Sequence, residues 1–204
     1  MYKIAVFVTG RGSNLRALIN SISADMKNVG VCAVVSSKPG CGAIEYSKEK
    51  NIPFYFISST EKEGFIDYKE LKKLFIEQDV NLIVLAGFLK KIPEDFIEAF
   101  ENRIINIHPA LLPSFGGKGM FGMNVHKAVF EKSAQISGPT VHFVDKVYDN
   151  GKIIAQRTVD ISKVETPEQI AELVLKEEHK LLPFVVKKFS ENKIEIKNNR
   201  VYIN

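Results

Sequence analysis

Asn106-Ile107-His108-Pro109 sets an amide two residues before an imidazole, at the end of the apolar run over residues 104–107. Strand alternation puts Asn106 and His108 on one face and Ile107 on the other. An amide N–H can stabilise a developing oxyanion, and an imidazole can move a proton. A lone histidine at a strand end is commonly structural. Here, however, the segment runs directly into a stretch with Pro109, Pro113, Gly116, Gly117, Gly119 and Gly122. Long loops of that kind inside compact domains are usually functional or disordered.

The second candidate is Gly10-Arg11-Gly12-Ser13-Asn14, between an apolar run and a helix-periodic segment. Glycines let backbone N–H groups approach an anion, and a helix N-terminus adds favourable partial charge. Leu15 stands where a dinucleotide fingerprint wants its third glycine, and no Gly-Lys-Ser/Thr follows. A single phosphate therefore fits better than a pyrophosphate. The alternative is a tight strand-to-helix turn capped by Ser13.

Asp149 is the third candidate. Before Asn150-Gly151 it also reads as ordinary turn chemistry, with Asp145 and His142 as rival polar groups nearby. His126 and His179 complete the histidines; His126 could belong to the glycine-rich loop. No His/Cys/Asp/Glu spacing suggests a metal, and there is no Gly-x-Ser-x-Gly nucleophile elbow.

These residues need elements to hold them. Residues 3–8, 29–35, 53–57, 81–86 and 104–107 read as five short apolar strands, with helical patterns at 13–22, 43–50, around 71–78 and from Pro93 to about 100. Alternation of this kind predicts an α/β, doubly wound, mostly parallel Rossmann-like sheet. Residues 140–144 and 153–159 read as a hairpin. Thr166-Pro167-Glu168-Gln169 opens a long helix as a capping box, with a kink or break expected at Pro183. Residues 193–196 and 201–203 then form a C-terminal antiparallel hairpin.

The 204 residues include 28 Lys and Arg against 24 Asp and Glu, a mild excess that suits an anionic small molecule rather than nucleic acid. Two cysteines are too few for a disulfide framework, and no apolar run approaches the roughly 20 residues that span a bilayer. The first residues lack a signal-peptide pattern, so the expected compartment is the cytoplasm.

Five stretches, VTGRGSNL (8–15), VLAGFLKKI (84–92), INIHPALLPSF (105–115), VHFVDKVYDNGKII (141–154) and EEHKLLP (177–183), together resemble the phosphoribosylglycinamide formyltransferase family of de novo purine synthesis. The resemblance implies one formyltransferase domain over 1–204, with a phosphoribosyl-binding half to about 100 and a folate and catalytic half beyond it. It implies transfer of a formyl group from 10-formyltetrahydrofolate to the amine of glycinamide ribonucleotide, with no metal. Asn106, His108 and Asp149 would be catalytic. Gly12, Ser13, Asn14 and Glu178 would hold the phosphate and ribose, and Leu89, Lys90, Lys91, Ile92 and Asn106 the folate. Gly64 departs from the family's arginine for the folate's glutamate tail, leaving Lys62 and Lys69 as the nearby cations, and the 116–125 loop is longer than the family's.

The expected partners are small molecules, with no nucleic acid and no membrane, and the chain a monomer or homodimer. A formyltetrahydrofolate hydrolase would share the catalytic trio but add an N-terminal domain, and a methionyl-tRNA formyltransferase would add a C-terminal one. A non-enzymatic phosphate-binding module would leave the trio without a role. The chemistry also predicts that Asp149 pairs with His108 and raises its pKa, keeping it charged.

Overall fold

The computed structural model describes residues 1–58, 60 and 62–204, which form two compact units, residues 1–105 and 106–204. In the first, strands β1 (Tyr2–Phe7), β2 (Val29–Ser36), β3 (Phe54–Phe56) and β4 (Leu82–Leu85) lie in the order β3-β2-β1-β4. All their pairings are parallel, with Ile4 opposite both Val31 and Leu82, and Val34 opposite Phe54. Each connection carries a helix: α1 (Ser13–Asp25), α2 (Gly42–Glu49) and α3 (Tyr68–Glu77), followed after β4 by α4 (Glu94–Ala99). Ile4, Ala5, Val6 and Phe7 are wholly buried, which accounts for a run without polar alternation.

Beside that strand the core is aromatic. Phe96 meets Phe7, Phe75, Phe100 and Tyr68 at centroid distances of 4.9–6.5 Å, in edge-on or tilted arrangements that suit ring quadrupoles. Pro93, expected as the first helical residue, is instead the residue before α4, in extended conformation (ψ 148°).

In the second unit, β5 (Ile104–His108, which begins at the end of the first unit) is followed by α5 (Met123–Glu131), β6 (Ile136–Ser137), β7 (Thr140–Phe143), β8 (Ile153–Gln156) and β9 (Val159–Asp160). Strands β5, β7 and β8 are neighbours in that order, and β7 and β8 run antiparallel. The expected strand over 153–159 is divided. Its end leaves β8 and pairs as β9 with β6, because Gly138 approaches the Arg157 carbonyl so closely that a Cβ would lie 1.8 Å from it.

The glycine-rich loop after β5 is shorter than the sequence suggests, since Met123 already begins α5. Its first turn is fastened to the strands. Thr140 Oγ1 donates to the Ala110 carbonyl (2.7 Å) and accepts from Leu112 N–H (3.0 Å), and Gln156 Nε2 donates to the Leu112 carbonyl (2.9 Å).

Helix α6 (Pro167–Ser190) runs through Pro183 without ending, so the expected break does not occur. Pro183 is buried among Leu181, Leu182, Val185 and Val186, and tertiary packing outweighs the lost hydrogen bond. Thr166 caps this helix by accepting from Gln169 N–H (3.3 Å), while Gln169 Oε1 reaches back to Glu165 N–H (2.6 Å), one residue earlier than in a standard capping box. The chain ends in the hairpin β10 (Ile194–Lys197) with β11 (Arg200–Ile203), as the sequence predicts. The protein is α/β, mostly parallel, with this antiparallel hairpin and long helix at its C-terminus.

Phe96→Ala should remove the hub of the aromatic cluster and cost about 3–5 kcal/mol. Urea unfolding of both proteins checks this: the midpoint should fall with little change in slope.

Candidate active site

Two strand ends and one loop build the polar cluster of the second unit. Asn106 and His108 leave β5 on one face, as alternation requires, and His108 is buried. β7 supplies His142, at a point where pairing with β8 skips one residue (Val141 opposite Ala155, His142 opposite Ile153). Such bulges re-aim a side chain and recur beside active sites. The connection from β7 to β8 supplies Asp149, in left-handed conformation (φ 54°).

Asp145 turns out to shape that connection. Its carboxylate accepts Val147 N–H (2.8 Å) and Asn150 Nδ2–H (3.2 Å). Asp149 points instead into the cluster. Its Oδ2 lies 3.6 Å from His108 Nδ1 and accepts Gly117 N–H at 2.9 Å, and its Oδ1 lies 3.6 Å from His142 Nε2. Asn106 Nδ2 is 3.0 Å from the same His142 Nε2. Asn106, His108 and Asp149 therefore do come together, and His142 joins them.

The loop at 115–117 clamps the pair from outside. His108 Nε2–H donates to the Phe115 carbonyl (2.9 Å), two residues before the N–H that Asp149 accepts. Between them, a Cβ on Gly116 would lie 2.5 Å from Leu112 Cδ2 and 3.2 Å from Asp149 Cβ. A side chain there would have to displace Leu112 and press on Asp149.

Electrostatics correct one expectation. Burial pushes the His108 pKa down, and this outweighs the upward pull of Asp149 and of the Phe115 carbonyl. His108 thus rests uncharged near neutral pH, with its hydrogen on Nε2 and a bare Nδ1 facing Asp149. Burial works to raise Asp149, but His142, His108 and the Gly117 N–H together hold it below the ordinary carboxylate range. The carboxylate is the fixed charge of the cluster.

His126, on α5, is buried, and its Nδ1 has no hydrogen-bond partner among the described residues. Burial, with His108 adding to it, pushes its pKa down to about 4. It is therefore uncharged near neutral pH.

In the first unit, Gly12 occupies the cap position of α1 with φ +77°, and no side chain caps the helix, so Ser13 does not act as its cap. Gly12 itself has no side chain to accept a first-turn N–H. A Cβ on Gly12 would lie 2.8 Å from Ala43 Cβ, which presses the loop against the start of α2, and Ala43 N–H donates to the Gly10 carbonyl (3.3 Å). Asn14 is buried and Ser13 partly exposed. Thr9 ties this loop to the segment after β4, donating its N–H to the Gly87 carbonyl (3.1 Å) and accepting Leu89 N–H at Oγ1 (3.3 Å). Leu89, Lys90 and Lys91 are exposed and Ile92 is buried. Glu178 is a buried residue of α6, in the second unit. Lys62 lies over the Phe65 ring at 4.2 Å, beside Gly64. Among the described residues, no group of three or more His, Cys, Asp or Glu could hold a metal ion.

Sequence reasoning named His142 only as a rival to Asp149. Its signal was a histidine inside an otherwise apolar strand, which alternation alone does not assign to a site.

The sequence matches the formyl transferase family over residues 2–186. It is 43% identical to a chloroplastic phosphoribosylglycinamide formyltransferase of Arabidopsis thaliana, over 98% of this chain and 69% of that protein. It is 34% identical to the phosphoribosylglycinamide formyltransferase of Bacillus subtilis, over 92% of this chain and 94% of that one. Among solved structures, the phosphoribosylglycinamide formyltransferase of Anaplasma phagocytophilum superposes with a TM-score of 0.88 at 30% identity, covering 99% of this chain and 93% of that one.

Two outcomes are expected. As pH falls from 6.5 toward 4, the unfolded chain binds a proton at His126 that the folded chain refuses, so stability falls through this window. The loss is on the order of 3 kcal/mol. Chemical denaturation at pH 7 and pH 4.5 should show less acid sensitivity in His126→Met than in the unsubstituted protein. Separately, Asp149→Asn removes the charge that pulls His108 upward, so NMR titration of its ring should shift to still lower pH. Coincident curves would leave Asp149 as a turn residue.

Proposed function

Because the chain belongs to the phosphoribosylglycinamide formyltransferase family, we propose that its polar cluster catalyses formyl transfer from 10-formyltetrahydrofolate to the amine of glycinamide ribonucleotide. The observation that carries this reading is Asp149 set 3.6 Å from two buried imidazoles, one of them bonded to Asn106. The substrate amine forms a bond to the formyl carbon, and negative charge grows on the formyl oxygen. Asn106 donates an amide N–H to that oxygen. The amine must shed a proton as its bond forms. His108 Nδ1 is bare at rest, and a proton received there sits beside the Asp149 carboxylate. The same proton passes to the folate nitrogen as its bond to the formyl carbon breaks, leaving tetrahydrofolate and the formylated product. The donor carries its formyl group already activated, so no nucleophilic cysteine or serine is required.

In this reading Gly12, Ser13 and Asn14 hold the substrate phosphate on the uncapped first turn of α1, and Glu178 contacts the ribose. Leu89, Lys90, Lys91 and Ile92 border the folate. The half-exposed Leu89 side chain suits the flat face of a ring, and the backbone of this segment suits its polar edge. Lys62 or Lys69 meets the glutamate tail, because Gly64 has no charge to offer. The proposed setting is the cytoplasm, with small molecules as the partners and the chain a monomer or homodimer. Among the described residues, no helix is long and apolar enough to cross a membrane.

Folate product should form only when glycinamide ribonucleotide is present, which a spectroscopic assay with and without the acceptor measures. Turnover without the acceptor would make the protein a hydrolase. Asn106→Ala should lower kcat by about 10²-fold or more with little change in folate affinity.

A further inference from the structure

His142 is absent from the mechanism above, yet its ring lies within hydrogen-bond distance of the Asn106 amide. Its Nδ1 lies 2.7 Å from the Phe143 carbonyl. A carbonyl oxygen only accepts, so Nδ1 carries the ring hydrogen. In the uncharged ring, Nε2 then holds a lone pair. What faces that lone pair at 3.0 Å is Asn106 Nδ2, which only donates. The match is complete: carbonyl, Nδ1–H, bare Nε2, amide N–H.

An amide has two nearly isosteric ends, and nothing in the strand backbone of Asn106 chooses between them. Turned the other way, Asn106 would set its oxygen against the His142 lone pair and offer the reacting carbonyl an acceptor, where a donor is needed. With the orientation fixed, one amide N–H is spent on His142 and the second remains for the substrate.

We propose that His142 is a positioning residue whose Nδ1–H tautomer, set by the Phe143 carbonyl, turns the Asn106 amide so that it presents an N–H to the formyl oxygen. This rests on Asn106 being the oxyanion donor. The skipped residue in β8 opposite His142 belongs to the same device, since it re-aims the strand where the ring must meet both its own backbone and β5. Asp149 Oδ1, at 3.6 Å from the same Nε2, is beyond hydrogen-bond distance and leaves the Asn106 contact as the shorter one.

A double-mutant cycle tests the proposal. His142→Leu should lower kcat by about 10²-fold, as Asn106→Ala does, with the KM of both substrates changed little. His142→Gln, whose Oε1 can accept the same amide N–H, should recover a large part of the loss. The double variant Asn106→Ala/His142→Leu should turn over no more slowly than Asn106→Ala alone. In the unsubstituted protein, ring 15N NMR should show His142 protonated at Nδ1 and bare at Nε2. Multiplicative losses in the double variant, or a bare Nδ1, would overturn the role of His142 and leave Asn106 as the donor. An Asn106→Ala variant with undiminished kcat would overturn both. The ring spectrum and the glutamine variant still decide the matter if His142→Leu fails to fold.

Discussion

A carboxylate that is 11% exposed and fully ionised organises the second unit. Ionised groups are costly to bury unless hydrogen-bonded, and Asp149 meets that cost with the Gly117 N–H, while the rings of His108 and His142 stand 3.6 Å away. Each partner comes from a different stretch of chain. The loop 115–117 must pass close enough to donate, which the missing side chain of Gly116 eases, since a Cβ there would crowd Leu112 and Asp149. β5 must deliver His108, and β7 must deliver His142. Moving the loop would leave the buried charge short of its N–H, so the carboxylate ties the loop to the turn beside the two strand ends.

That arrangement separates two jobs that a histidine is often asked to do at once. The charge in this site belongs to the aspartate, while burial keeps His108 neutral until a proton reaches Nδ1. A neutral ring can accept a proton from an amine, which a permanently charged one cannot. The simpler expectation of a charged imidazole beside a carboxylate weighed attraction and left out desolvation, because the sequence shows partners more readily than burial.

Much of the frame was legible in the residue pattern. The parallel strands announced themselves as unbroken apolar runs, and Thr166-Pro167-Glu168-Gln169 marked the start of α6 to the residue. Failures fell where tertiary contact overrides local preference. Pro183 sits inside a helix because its neighbours are buried, and the 153–159 strand divides because Gly138 allows the Arg157 carbonyl to approach. Within the site, Asn106 and His108 were readable from their alternation. Asp149 could not be separated from turn chemistry until Asp145 was seen to hold the turn itself. His142 was hidden because its role lies in which ring nitrogen carries hydrogen, a property of the Phe143 carbonyl beside it.

The close approach of Gly12 to Ala43 bears on the phosphate site proposed for the first unit. A loop wedged against the start of a neighbouring helix has few conformations to lose. Its N–H groups are oriented before any ligand arrives, so association sacrifices little chain entropy. Affinity for a phosphate would then come mainly from enthalpy released by the aligned dipoles. A looser loop built from the same residues would hold the same group with the same hydrogen bonds, and more weakly.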